Sequence, residues 1–164
     1  MAGICAVAML LILAIPETVM RRRGSGIFDV EMVRTPERAA HVLDTLGDGG
    51  RRALTWSLIG DFGFIVAYTS FAVLACIAVG KALASARPGF ARLARHFAAA
   101  AVIAAVADCI ENANLLAILV DSPRSPYPQI AFVAACIKFA LIFGALAYAA
   151  IGGVLVLRSR TNPA

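Results

Sequence analysis

Four long apolar runs organise the chain, over residues 2–19, 56–83, 93–120 and 129–157. A span across about 30 Å of hydrocarbon needs roughly 20 apolar residues, so each run has the length of a crossing. The longer runs imply tilt, or helix that continues past the bilayer. Lipid offers the backbone no hydrogen-bond partners, so runs of this kind fold as helices. The first run lacks a basic leader, and Arg21, Arg22 and Arg23 follow it rather than precede it. It therefore reads as a retained span and not as a signal peptide.

Small residues recur at helical spacing inside the runs: Ala140, Gly144 and Tyr148 on one stripe, Ala145, Ala149 and Gly153 on the next. Such stripes let helices approach closely where lipid removes the hydrophobic drive. The expected fold is all-α, a polytopic membrane protein built as a single domain: a four-transmembrane-helix bundle. Two connections are short and carry proline, Ala84 to Arg92 and Asp121 to Pro128. The connection over 21–55 is long and polar. Within it, Thr35 can cap a helix with Pro36 at its first position. Ala39, Val42, Leu43 and Leu46 then repeat at helical spacing, and Gly47 can end the helix. This predicts a short amphipathic surface helix in the first loop, lying on the bilayer, over the mouth of the bundle, or simply packed on the loop side.

Composition agrees with the pattern. Of 164 residues, 61% are hydrophobic and 15% charged, and the mean hydropathy is +0.84. A water-soluble domain and a disordered chain are both excluded. The net charge of +5 does not mark a nucleic-acid partner, because Lys and Arg punctuate the ends of apolar runs instead of sharing one solvated face. The cysteines at 5, 76, 109 and 136 occur singly, one in each run, and read as small hydrophobes. His41 and His96 fall at opposite ends of the bundle, so they cannot share a haem or metal. No cofactor and no metal site is expected. Eight Lys/Arg lie on the side of the long loop and six on the other, too even a split to orient the protein.

The informative charges are those inside the runs: Glu17, Asp61, Asp108, Glu111 and Lys138, accompanied by Tyr68, Asn112 and Asn114. An intramembrane charge is costly and marks a functional site by default. Asp108, Glu111 and Asn112 fall at i, i+3, i+4 and share a helix face. Counted from the loop side, Asp61 is about five residues deep, Glu111 and Lys138 about nine, and Tyr68 and Asp108 about twelve. The far half holds almost nothing ionisable, and 97–107 is wholly apolar. A half-depth acidic funnel opening on the loop side is expected. A through-pore is not, since it needs polar lining in both halves. With four acids against one lysine, at least one carboxyl, Asp108 first among them, should be protonated or bind a cation.

Three segments taken together, Ile27-Phe28-Asp29-Val30-Glu31 with Thr35-Pro36-Glu37-Arg38-Ala39, Asp61-Phe62-Gly63-Phe64 with Tyr68, and Asp108-Cys109-Ile110-Glu111-Asn112, resemble a group of small bacterial four-span integral membrane proteins without assigned activity. The resemblance implies the bacterial inner membrane and points to the same acids. Asp61, Tyr68, Asp108, Glu111, Asn112 and Lys138 are the candidate ligand-binding set. They suit three functions: binding or carrying a small lipophilic or cationic ligand, such as a lipid; an enzyme acting on a lipid or isoprenoid through the buried carboxylates; or an accessory subunit docking a membrane-complex partner or a second copy. The same residues could instead serve only as polar glue between helices.

Overall fold

Residues 2–121 and 126–161 are described by the computed structural model, and helix is the regular structure throughout them. The order is α1 (Ala2–Arg21), α2 (Ile27–Glu31), α3 (Pro36–Ala82), α4 (Pro88–Arg92), α5 (Ala94–Asp121) and α6 (Tyr127–Thr161). Among the described residues, three helical stretches are long and apolar enough to cross a membrane: Pro36–Ala82, Pro88–Asp121 and Tyr127–Ser159. The protein is thus a helical membrane protein. Most of the connection expected over 121–128 lies outside the described residues.

The third helix corrects the expected long loop. Thr35 caps it as its sequence implies, its hydroxyl accepting from the Arg38 N–H at 3.3 Å with Pro36 following. Gly47 then breaks the helix for one residue only, at φ 57° and ψ −175°, and helix resumes through 48–55 into the apolar run. A positive φ of this kind favours glycine. Arginines take up carbonyls near the break: Arg51 Nε donates to Leu43 O at 3.1 Å, and Arg23 Nη1 to Leu46 O at 3.4 Å. Carbonyls freed at a helix end need such partners. The bend turns the 36–46 segment back over the end of the molecule. Its stripe of Ala39, Val42, Leu43 and Leu46 is buried, packed with Met20, Val30, Val33, Leu54, Leu58, Leu115 and Ile118. The amphipathic segment therefore covers the bundle end rather than presenting its apolar face to the bilayer.

A second core lies at the other end. Ala72, Cys76, Val79, Ala94, Ala98, Ala101, Ala145 and Tyr148 form it, with Phe90 and Phe97 against them. Phe90 and Phe97 stack on the Tyr148 ring at 4.6 and 4.8 Å between centroids, and the Tyr148 hydroxyl donates to Phe90 O. The tightest approaches are at Gly80, against Ala94, and at Gly152, against Val79 and Phe90, where a side chain has no room. Of the stripes read from sequence, Ala145 and Tyr148 are buried here, whereas Gly153 faces open space.

The long helices do not run level. α3 packs on α1, α5 and α6, and α5 packs on α6, whereas α1 packs chiefly on α3. Gly3 lies beside Phe71, and Leu13 beside Gly60. The last residues of α3, from Ala72 to Ala82, about 16 Å of helix, thus lie beyond the start of α1. Because α1 packs on α3 and not closely on α6, a gap remains between α1 and α6 that shapes the site.

Candidate functional site

Between the two cores lies a layer of charge. On α5, Asp108, Glu111 and Asn112 occupy the buried stripe that is otherwise alanine from Ala94 to Ala107 and apolar at Leu115 and Ile118. On α6, Lys138 occupies the stripe of Ala131, Ala134, Ala135, Ala145 and Tyr148. The helical repeat that faces these helices to one another therefore also forces their charges inward.

Lys138 is the hub. Its Nζ lies 2.6 Å from Glu111 Oε2, 3.1 Å from Asp108 Oδ1 and 3.4 Å from Glu31 Oε1. The Tyr68 hydroxyl donates to Asp108 Oδ2 at 2.9 Å, and Asn112 Nδ2 donates to Asp61 Oδ2 at 2.7 Å. The ammonium also sits 4.6 Å from the Phe139 ring centroid, a cation–π contact. All six residues singled out from sequence are thereby brought into one layer, linked through α3, α5 and α6. The cation beside Asp108 is Lys138. Glu111 is fully buried, and its Oε1 has no hydrogen-bond partner among the described residues.

Two memberships differ from expectation. Glu17 does not join the layer: it pairs with Arg21 at 2.5 Å and accepts from the Ile27 N–H at 2.9 Å, fixing the start of α2. Glu31, counted as a loop residue, takes its place, because α2 lays this side chain against Lys138. The α2 turn is itself held by Asp29, which accepts from the Gly26 N–H at 2.7 Å. Burial pushes the Glu31 carboxyl above its usual range. The Lys138 ammonium pulls against that rise, and the charges of Asp108 and Asp61 add to it. The signal available in the sequence was an acid closing an apolar-acidic turn, Phe28-Asp29-Val30-Glu31, but nothing local tied it to a lysine 107 residues away. Asn114 bonds back to Ile110 O on its own helix and takes no part.

The layer faces two neighbouring cavities. One, of about 270 Å³, sits at the loop side between α1, α2, α3 and α5, with Glu17, Glu31, Asp61 and Asn112 in its lining. The other, of about 470 Å³, is a cleft between α1, α3 and α6 whose base is Glu31, Asp61, Tyr68, Asp108 and Lys138. Its walls are Phe64, Phe71, Phe139, Phe143, Ile142 and Leu146. Glu31, Asp61 and Phe64 line both. The smaller cavity reaches the acids from the loop side, as the sequence leads one to expect, and the larger cleft adds an opening sideways. Val7, Phe71, Phe143 and Leu146 on its rim are all substantially exposed.

Chemically, the cleft offers an apolar channel ending in carboxylates. Three acids share one lysine, and the fourth, Asp61, meets the Asn112 amide and, among the described residues, no direct cation. Among the described residues, no three His, Cys, Asp or Glu side chains are grouped to hold a metal ion. The chain matches no family model, no curated protein and no solved structure.

Proposed function

We propose that the chain is a multi-pass protein of the bacterial inner membrane that binds or carries a small lipophilic ligand with a cationic head. In this reading α1 is the fourth span, completing a four-helix bundle displaced toward the loop side. The observation that carries the proposal is the lateral cleft: aromatic and aliphatic walls that suit an acyl or aryl tail, and a base where acids outnumber cations. A tail enters from the lipid without crossing water, and its head meets Asp61, the carboxylate whose charge Lys138 does not directly neutralise. A carboxylate half-buried in an apolar cleft without a counter-ion is costly, which favours a cation there.

The test compares decylamine with decanol on the purified protein in nanodiscs, by equilibrium dialysis against empty discs. Protein-containing discs are expected to show saturable extra uptake of the amine only. Asp61→Asn is expected to abolish that excess while the helical circular dichroism is retained. Equal uptake of amine and alcohol, or unchanged amine binding by Asp61→Asn, overturns the proposal.

A further inference from the structure

All ten carboxylate side chains of the chain lie within 17–61 and 108–121. The opposite end carries Lys81, Arg87, Arg92 and Arg95, and no Asp or Glu falls between Asp61 and Asp108 or after Asp121 in the sequence. Three of these cations come from three different helices to one open cavity of about 510 Å³: Lys81 at the end of α3, Arg92 at the end of α4 and Arg95 in the first turn of α5. Its floor is apolar, including Ile77, Pro88 and Ala94.

This gathering is unfavourable as it stands. Like charges repel, and among the described residues no Asp or Glu side chain lines this cavity to relieve them. The carbonyls at the end of α3 favour Lys81, but the N-terminus of α5 is the positive end of its dipole and disfavours Arg92 and Arg95. The first turn of α5 contains no acid to counter it. Tight packing of Gly80 on Ala94 holds the end of α3 against the start of α5, which keeps the stems of Lys81 and Arg95 side by side. An anion is the missing charge. These residues also mark where the apolar runs end, which is the depth of the lipid phosphates.

We infer that the cavity between the end of α3, α4 and the start of α5 is a binding site for the phosphate of an anionic phospholipid, held by Lys81, Arg92 and Arg95 with its glycerol region on the apolar floor. The site is separate from the acidic cleft and does not depend on the reading given to it.

Native mass spectrometry of the full-length protein in detergent, titrated with dioleoyl phosphatidylglycerol or dioleoyl phosphatidylcholine, tests this. A saturable phosphatidylglycerol adduct is expected at concentrations where phosphatidylcholine gives none. A basic residue near a lipid surface contributes about fivefold to affinity, so the Lys81→Gln/Arg92→Gln/Arg95→Gln variant should lose at least about tenfold. Arg22→Gln/Arg38→Gln/Arg52→Gln removes the same charge at the loop end and should retain the adduct. All six side chains are exposed, so helicity and thermal midpoint should hold in both variants. The inference is overturned if both variants lose the adduct equally, since that is unspecific attraction. It also fails if the two lipids bind alike, or if excess inorganic phosphate displaces phosphatidylglycerol, which would make free phosphate the ligand.

Discussion

At the loop end, Leu43, Leu46, Leu54, Leu58, Leu115 and Ile118 interlock beneath a helix segment that turns Glu37, Arg38 and Asp44 outward. At the opposite end the core is Ala72, Ala94, Ala98, Ala101 and Ala145 around one tyrosine, with Gly80 and Gly152 where helices touch. The difference follows from what each core excludes. The 36–46 segment has a polar outer face, so burying its branched side chains removes them from water and stabilises by about 1.5–3 kcal/mol each. Between spans, lipid is as apolar as the protein and burial gains little. There the helices hold by close approach, which requires small residues. The charged layer lies where these two regimes meet, and Lys138 ties it across α2, α5 and α6.

Removing that tie should have the largest effect. Lys138→Met leaves Glu31, Asp108 and Glu111 without their shared cation, and breaking a buried pair costs about 3–5 kcal/mol. The unfolding midpoint in mixed micelles should fall accordingly, and adding Glu111→Gln should recover part of the loss. If Lys138→Met unfolds like the wild type, the layer does not join the two ends.

The two cores should then fail in opposite ways. Leu46→Ala opens a cavity in the loop core at a fully buried position, a change that costs about 2–5 kcal/mol. Gly152→Ala instead adds a methyl group where Val79 and Phe90 already fill the space, and overpacking costs about 1–3 kcal/mol. Denaturant titration of both variants checks the contrast. A tolerant Gly152→Ala would mean that the far helices are held by something other than close approach.

The contrast also explains what could be read from the chain. Helix limits were legible because hydropathy is local: the apolar run 93–120 falls on Ala94–Asp121, and 129–157 lies within Tyr127–Thr161. The six candidate polar residues were legible because charge inside an apolar run stands out. The course of α3 was not, since Gly47 looks like a helix stop, and only Arg51 and Arg23, by reaching Leu43 O and Leu46 O, show the bend to be supported. Nor was the sideways opening, because no periodicity records that α1 packs on α3 and leaves α6 open beside it. Glu31 was missed for a related reason: its partners lie on helices far away in sequence.

The smallest expected effect concerns Glu31 and Glu37, two glutamates flanking the start of α3 whose surroundings push them in opposite directions. Burial raises Glu31, whereas Glu37, fully exposed, is lowered by its own backbone N–H and the Thr35 hydroxyl. A raised carboxyl keeps its proton in the folded state after the unfolded chain has lost it. The folded state then binds more protons, and stability declines as pH rises from the usual carboxylate range through the raised value. For Glu37 the sign reverses: its contribution is present above the usual range and is lost as pH falls through the lowered value. Stability against pH for the wild type, Glu31→Gln and Glu37→Gln separates the two. Glu31→Gln should remove a decline on the neutral side of the carboxylate range, and Glu37→Gln a loss on its acid side. Were Glu31→Gln to leave the neutral side unchanged, the α2 carboxylate would not belong to the buried layer, and that layer would join only the spans.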